Sequence, residues 1–293
     1  MEAVIFVHGN PGSGRDWDGL VEPAAAEIGA AFAPTLPGFG RTPVPPGFDV
    51  TVGGYARWLG AHLDDRSVEH AHLVMHDFGG AFGLAWAAAH PERVASVTLI
   101  DTGVLTGYRW HALARIWRTP VAGELFNALT TRRAFALLLG FGQPRPLERA
   151  AVDRLFADFP PPARRVAMRL YRATSETELA RYGEAFRALD PPTLVLWGAH
   201  DPFLPVAHAE RQREAFPAAR VVVLADSGHW PHHDDPTTVR FHLVTFLRPE
   251  STNKGGGFGV CDGEGACPAG RIEVVDTLER VGKASARLRD WCD

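Results

Sequence analysis

The sequence predicts an α/β fold with a doubly wound, mostly parallel sheet and a helical lid inserted between two of its strands. Short apolar segments alternate with longer helical ones, and several of the short segments are apolar at nearly every position. Such runs are typical of strands that helices cover on both faces. Alternating strands and helices favour an open parallel sheet. One long stretch without a strand pattern interrupts this alternation and predicts the lid.

Six strands are predicted from the short apolar segments. They cover residues 3–7, 30–33, 72–75, 97–100, 193–197 and 220–224. Helices are predicted between them, and the clearest cover residues 54–63, 80–89 and 207–216. Ligands of such a sheet bind beyond the carboxyl ends of its strands, so side chains at those ends are the first candidates for function.

The chain is predicted to have three parts. Residues 103–189 form the lid, because apolar residues recur there at helical spacing and prolines divide the stretch into several short helices. Residues 1–102 and 190–250 then form the core. Residues 251–293 are predicted as a glycine-rich linker followed by an amphipathic C-terminal helix.

Composition argues against several kinds of partner. The chain has 293 residues, with 30 Lys and Arg against 34 Asp and Glu. This balance argues against nucleic acid or an anionic membrane as a partner, although a local basic patch stays open. Three cysteines without a CxxC pair predict neither a disulfide framework nor a metal site. With no signal peptide and no membrane-spanning run, we expect a cytoplasmic protein without metal or cofactor.

The strongest functional signal is a strand–turn–helix pattern at residues 73–81. An apolar strand ends at His76, and a helix begins after two glycines. This is the form of a nucleophile elbow, in which a sharp turn presents one side chain above the edge of the sheet. Asp77 takes the nucleophile position, and Met75 stands where a glycine is usual. The alternative is an aspartate that only caps the helix.

A second signal is the loop His8-Gly9-Asn10-Pro11, directly after the first strand. A loop of this kind can direct a backbone N–H at a developing oxyanion. The natural pair of donors is the amide of Asn10 and the amide of Phe78, the residue after Asp77, since Pro11 has no N–H. An ordinary turn is the alternative.

Asp201 and His229 each lie in a loop just past a predicted strand. Because the carboxyl ends of parallel strands meet at one edge, we expect both side chains near Asp77. The three residues then supply a nucleophile, an acid and a base, in that order along the chain. Asp101, at the end of another strand, is a second candidate for the acid. The alternative is that Asp101 only forms a turn.

These residues resemble the α/β-hydrolase superfamily, and within it the aspartate-nucleophile branch of epoxide hydrolases and haloalkane dehalogenases, over roughly residues 3–248. Residues 8–11 match the HGxP motif of the family, residues 76–80 resemble its HDxGG motif, and residues 228–230 resemble its catalytic-histidine loop. The resemblance implies that Asp77 forms an alkyl-enzyme ester. Water activated by His229 would hydrolyse the ester, while Asp201 orients the histidine.

The leaving group decides the substrate. Epoxide hydrolases of this branch protonate the opened epoxide with lid tyrosines, and Tyr171 with Arg172 resembles the tyrosine–arginine pair found there. Tyr108 is the second candidate donor, although each tyrosine could be an ordinary amphipathic lid residue. Haloalkane dehalogenases hold the halide with N–H donors, typically including a tryptophan after the nucleophile, where this chain has Phe78. Other indoles could substitute: Trp110, Trp117 and Trp230.

We therefore expect an epoxide hydrolase that acts on a small apolar organic substrate and water, and a homodimer is possible. A haloalkane dehalogenase with the same covalent mechanism is the alternative. A non-catalytic protein of this fold, or one with lyase or cyclase chemistry, is the third hypothesis. His232 and His233, beside the catalytic-histidine loop, are expected to be solvated.

Overall fold

The computed structural model describes residues 1–141, 143–144 and 146–248, so the linker and helix predicted for residues 251–293 lie outside the described residues. Six strands form one sheet in which every pair of neighbours is parallel. In chain order they are β1 (Glu2–Val7), β2 (Ala31–Phe32), β3 (His70–His76), β4 (Val94–Ile100), β5 (Thr193–Gly198) and β6 (Arg220–Leu224).

The order of the strands across the sheet is β2-β1-β3-β4-β5-β6. The chain runs outward from β1 to β2, and then returns past β1 to continue from β3 to β6. The direction of winding therefore reverses between β1 and β3. At such a switch point the two following loops separate and leave a crevice beyond the carboxyl ends of the strands, which is where ligands bind in open parallel sheets.

Helices cover both faces of the sheet and one edge. In chain order they are α1 (Val21–Ile28), α2 (Val52–Asp64), α3 (Phe78–Ala89), α4 (Ala112–Arg118), α5 (Ala122–Leu129), α6 (Arg132–Gly140), α7 (Arg149–Ala157), α8 (Pro161–Ala173), α9 (Glu176–Ala180), α10 (Gly183–Leu189), α11 (Ala207–Arg211), α12 (Pro231–Asp234) and α13 (Pro236–Leu247). Helices α4 to α10 all lie between β4 and β5. We call residues 103–189 the helical insertion. No helix in the described part of the chain is long and apolar enough to cross a membrane.

The sheet separates two apolar cores. Successive residues of a strand point to opposite faces, so Ile5 packs into the core shared with α2, α3 and the helical insertion, whereas Phe6 packs into the core shared with α1 and α13. Both side chains are fully buried. This division explains why the strands are apolar at nearly every position.

Met75 and Gly83 show how α3 packs on β3. A Cβ atom on Gly83 would lie 2.2 Å from the sulfur of Met75. The helix therefore stays close to the strand because the small residue stands on the helix, opposite a large one on the strand. The position where a glycine is usual is thus occupied by Met75 without separating the two elements.

The predicted fold class is confirmed. Most elements begin or end one to three residues from the predicted position, and two of them are shorter than predicted. Residues 30–33 form only the two-residue strand Ala31–Phe32, which pairs on one side alone because it lies at the edge of the sheet. The helix predicted over residues 207–216 ends at Arg211 and continues as a 3-10 turn, Gln212–Glu214. There the buried Gln212 side chain bonds both backbone polar atoms of Val104, at the start of the helical insertion.

Candidate active site

Asp77 lies in the sharp turn between β3 and α3, at the switch point of the sheet. Its φ is 50°, a left-handed value that is uncommon for a residue other than glycine. The hydroxyl of Thr102 donates to the backbone carbonyl of Asp77 at 2.6 Å and supports this turn. A Cβ atom on Gly9 would lie 2.3 Å from the Asp77 Cβ, so only glycine lets the loop after β1 approach so closely.

One oxygen of the Asp77 carboxylate is held by the backbone. The amide of Asn10 donates to Oδ1 at 2.7 Å. Burial alone would raise the pKa of Asp77, but the hydrogen bond and charge of His229 and the hydrogen bond of the Phe78 amide lower it to about 2. The carboxylate is therefore ionised throughout the neutral range. The two amides predicted for the oxyanion, those of Asn10 and Phe78, both act on the Asp77 carboxylate.

His229 lies between two carboxylates. Its Nε2 is 3.5 Å from Asp77 Oδ2, and its Nδ1 is 2.7 Å from Asp201 Oδ2. The other oxygen of Asp201 accepts the amides of Phe203 and Leu204 at 2.7 and 2.9 Å, which fixes the carboxylate. The structure thus brings the three predicted residues together in the order Asp77, His229, Asp201.

The two carboxylates control the charge of His229. Burial opposes the charged imidazolium, but the charges and hydrogen bonds of Asp201 and Asp77 outweigh it and raise the pKa of His229 well above its usual range. In the resting protein the ring is therefore protonated at neutral pH. It becomes a base only if one of these negative charges is removed.

Asp101 is a second acid beside Asp201. It follows β4, is fully buried, and accepts the Gly198 amide at 2.9 Å through Oδ1. Burial and the charge of Asp201 raise the pKa of Asp101 well above its usual range, which favours its neutral carboxylic acid form. His229 forms its hydrogen bond with Asp201, the residue predicted to orient it, and not with Asp101. Asp101 lies beside Asp201.

Two apolar cavities meet at Asp77. Both extend under the helical insertion. The lining of the first includes Asp77, His229, Trp117, Phe126, Phe135, Leu138, Phe159 and Tyr171. The lining of the second includes Asp77, Phe78, Leu105, Tyr108, Trp110, Leu179 and Leu204. Asp77, His111, Tyr171 and Phe203 line both. The reacting group of a ligand at Asp77 therefore has apolar space in two directions.

The two candidate tyrosines occupy different positions. Tyr171 of α8 is 3% exposed and lines both cavities, and its ring packs edge-on against Phe78 at 4.8 Å. Burial and the charge of Asp77 raise the pKa of Tyr171 well above its usual range, so its hydroxyl keeps its proton. Tyr108 is also buried but lines only the second cavity. Burial likewise raises the pKa of Tyr108.

His111 is a site residue that was not predicted from the sequence. It lines both cavities, and burial lowers its pKa to about 4, so the ring is neutral. The Nδ1 atom accepts the Ala114 amide at 3.2 Å as the cap of α4. This assigns the proton to Nε2. The only sequence signal was its place directly before a helix, which a capping residue explains equally well.

The structure corrects the expectation for His232 and His233. Both lie in α12 behind the site, where His232 is 5% exposed and stacks on Trp17 with ring centroids 4.9 Å apart. Burial lowers the pKa of both histidines. The short helix after His229 folds back against Trp17, which a sequence pattern of four residues could not indicate. In the described residues, no three His, Cys, Asp or Glu side chains are grouped to hold a metal ion.

Comparison with known proteins places the chain in a family. Residues 2–236 match the family model for the alpha/beta hydrolase fold. A cis-3-alkyl-4-alkyloxetan-2-one decarboxylase of Shewanella oneidensis is 27% identical over 277 residues, covering 86% of this chain and 83% of that protein. A haloalkane dehalogenase of Mesorhizobium japonicum is 31% identical over 183 residues, covering 62% and 52%. The solved structure of the epoxide hydrolase CorEH superposes with a TM-score of 0.69 at 17% identity, covering 84% and 91%.

The named relatives differ in activity, whereas the family match covers most of the chain. The sheet order, the turn at Asp77 and the loop after β1 agree with that match. The chain therefore belongs to the alpha/beta hydrolase fold family.

Proposed function

We propose that the protein opens an epoxide to a diol through an alkyl ester on Asp77, which water activated by His229 then hydrolyses. The observation that carries this proposal is the ionised Asp77 carboxylate, which meets His229 on one side and an apolar cavity with a protonated tyrosine on the other. A carboxylate attacks an sp³ carbon without a base, whereas its attack on an acyl group would give an anhydride.

The first step forms one bond and breaks another. Asp77 Oδ2 attacks an epoxide carbon from the cavity, while Oδ1 stays on the Asn10 amide. The C–O bond of the ring breaks, and its electron pair remains on the epoxide oxygen. Tyr171 protonates this alkoxide, because an alkoxide is a far stronger base than a phenolate.

His111 is proposed as the second donor for the opening ring. Its Nδ1 is committed to the Ala114 amide, so the remaining proton is on Nε2, in a ring that lines both cavities with Tyr171. A neutral imidazole can donate this proton to a hydrogen bond without placing a positive charge beside His229. Tyr108, the donor predicted from the sequence, lines the second cavity only.

The second step needs His229 as a base. Ester formation removes the negative charge of Asp77, which is one of the causes that raise the pKa of His229. The ring can then release its proton to solvent, which reprotonates the Tyr171 phenolate, and the neutral ring deprotonates water. The resulting hydroxide attacks Cγ of Asp77, and the Asn10 and Phe78 amides stabilise the negative charge on Oδ1. The bond between Cγ and the diol oxygen breaks as His229 returns a proton to that oxygen, and the Asp77 carboxylic acid then gives its proton back to His229.

The two cavities suggest the substituents of the substrate. Both have apolar linings, and each extends from Asp77 in its own direction. An epoxide with apolar groups on both ring carbons would fill both cavities, whereas a terminal epoxide would leave one empty. We therefore propose internal, dialkyl-type epoxides as the preferred substrates.

The covalent intermediate is directly testable. His229→Gln should still be alkylated by a substrate such as an internal dialkyl epoxide but should not hydrolyse the ester. Intact-mass and peptide mass spectrometry should show one substrate mass on the peptide that contains Asp77. Asp77→Asn should show no adduct and no turnover. An adduct on another residue, or diol formation by Asp77→Ala, would rule out this mechanism.

Halide release is the second candidate function. Trp117 and Trp230 line the first cavity, and their buried indole N–H groups have no hydrogen-bond partner among the described residues. Such donors suit a halide leaving group. A panel of terminal bromoalkanes, with bromide release measured, separates this function from epoxide opening.

Ring opening of a four-membered lactone is a third outcome of the same panel. The Shewanella relative is a decarboxylase of an oxetanone with two alkyl groups, and two apolar cavities suit such a substrate as well. Attack by Asp77 at the alkyl C–O carbon would release a carboxylate. Loss of carbon dioxide and departure of Asp77 would then give an alkene. Gas chromatography distinguishes this alkene from a diol.

A further inference from the structure

Exposed apolar side chains are concentrated in one part of the helical insertion. Among the described residues, six of the nine exposed large hydrophobic side chains lie between residues 116 and 141. They are Ile116, Val121, Leu125, Leu129, Leu137 and Phe141, with exposures from 37% to 77%. Single exposed apolar residues are common on soluble proteins, whereas several on two successive helices make this segment a candidate interaction surface.

The cluster has helical order. Val121, Leu125 and Leu129 are four residues apart along α5 and its cap, so they share one face. Arg133, Leu137 and Phe141 have the same spacing along α6. Each helix therefore presents an outward stripe, and the stripe of α6 begins with an arginine. We call these two rows the outer stripes: Val121, Leu125 and Leu129 along α5, and Arg133, Leu137 and Phe141 along α6.

The opposite sides of the same two helices line the first cavity. Phe126 and Thr130 of the α5 region, and Phe135, Leu138 and Leu139 of α6, face the space that reaches Asp77. Both sides of this short segment are thus apolar. An ordinary surface helix has one apolar face towards the core and one polar face towards water.

The charge of the helical insertion differs from that of the rest of the chain. Residues 103–189 contain fourteen arginines, no lysine and seven Asp or Glu, a balance of +7 in a chain whose net charge is −4. The remaining residues therefore carry −11. Arg115 and Arg133, next to the exposed Ile116 and Leu137, are themselves exposed. Near-neutral composition of the whole chain conceals this separation.

We propose that the outer stripes dock on an anionic lipid surface, from which apolar substrates pass into the first cavity. Aliphatic side chains flanked by arginines are the pattern of segments that lie in the membrane interface, where the apolar groups enter the acyl boundary and the cations meet the head groups. The apolar cavity on the inner side would receive ligands that partition into the same lipid phase. Docking needs no catalysis and is measured separately from it.

The test is flotation of the full chain with lipid vesicles. Vesicles of phosphatidylcholine with about a third phosphatidylglycerol should bind the protein, and pure phosphatidylcholine should bind it about tenfold more weakly. The double variant Leu129→Ser/Leu137→Ser should lose about tenfold in partitioning per side chain. Neither leucine lines either of the two cavities at Asp77, so turnover of a water-soluble substrate should be unchanged.

Phe241→Ser is the matched control. Phe241 is 59% exposed on α13, outside the helical insertion, and its replacement should leave vesicle binding unchanged. Equal binding loss in the control and the double variant would overturn the proposal, as would no binding of the wild-type chain to anionic vesicles. Self-association that the double variant abolishes, without vesicle binding, would show instead that the stripes join two copies of the chain.

Discussion

At the residue scale, the site contains carboxyl groups whose surroundings shift their pKa in opposite directions. Asp77 and Asp101 are both buried, yet the pKa of Asp77 is lowered to about 2 and that of Asp101 is raised. The difference lies in their neighbours, because Asp77 meets His229 and two amides, whereas Asp101 meets the charge of Asp201. One residue type thus supplies both an ionised carboxylate and a carboxyl group whose neutral form is favoured.

The first prediction follows from the opposing effects of burial and of His229 on the pKa of Asp77. Burial is the largest effect on its pKa and would raise it, and His229 provides the largest opposing effects. In His229→Gln these are lost, so the pKa of Asp77 should rise. The rate of adduct formation in this variant should therefore fall as the pH is lowered from about 7 to about 4. A rate that mass spectrometry finds constant over this range would contradict the account of how Asp77 is kept ionised.

The second prediction concerns the two acids. Asp201→Asn removes the carboxylate from His229 and also removes a charge that keeps Asp101 neutral. Asp101 should then ionise more readily and partly replace the Asp201 carboxylate in supporting His229. Turnover should therefore fall by about 10² and recover as the pH rises. Without either carboxylate, in Asp101→Asn/Asp201→Asn, the loss should approach about 10⁴.

Asp101→Asn alone is the control for these two acids. An asparagine can still accept the Gly198 amide through its oxygen, so most of the activity should remain. If the double variant is as active as Asp201→Asn, Asp101 has no part in supporting His229.

At the scale of elements, the sequence predicted the strands and the site residues at strand ends, which follow from local patterns. It did not predict a site residue whose position depends on contacts between distant parts of the chain. The strand segments are apolar at nearly every position, so all six strands were predicted. Asp77, Asp201 and His229 were found because each follows a strand end in a parallel sheet. His111 was missed because its role arises where the start of α4 meets two cavities, and its spacing to any other site residue carries no signal.

The third prediction uses the two cavities as a matched pair. Leu138 of α6 lines only the first, and Leu179 of α9 lines only the second. Either leucine replaced by tryptophan should fill its cavity. For an internal dialkyl epoxide, kcat/KM should fall about 100-fold in both variants, because one substituent loses its place. Terminal epoxides should be affected only a few-fold, since the other cavity remains. Equal losses for terminal and internal epoxides would show that one cavity alone binds substrate.

At the scale of the whole molecule, the overall composition did not indicate two features of the structure, the local positive charge and the buried histidines. The net charge of −4 indicated no basic surface, although the helical insertion alone carries +7. The sequence also did not indicate that many of the thirteen histidines are buried. The fold buries a large group of them in neutral form. Burial lowers the pKa of His8, His76, His111, His232 and His233.

The last prediction is that the protein loses stability steeply in mild acid. Below about pH 6.5 the unfolded chain would protonate these five histidines, whereas the folded chain keeps them neutral to lower pH. Asp16, whose pKa burial raises to about 7, and Asp101 bind protons in the folded state and oppose this effect. Burial also lowers the pKa of His62, His72, His208 and His242. The histidines therefore outnumber the two acids, so unfolding takes up protons near pH 5.5, and stability should fall by about 1.4 kcal/mol per pH unit for each net proton taken up there.

Chemical denaturation between about pH 7.5 and pH 5 measures this slope, and His232→Phe tests its cause. Phenylalanine keeps a ring for stacking on Trp17, and neither nitrogen of His232 has a hydrogen-bond partner among the described residues. The variant should therefore be at least as stable as the wild type at pH 7.5, and its slope should be smaller by roughly one proton. Stability that is independent of pH over this range would show that the buried histidines are not neutral in the folded protein.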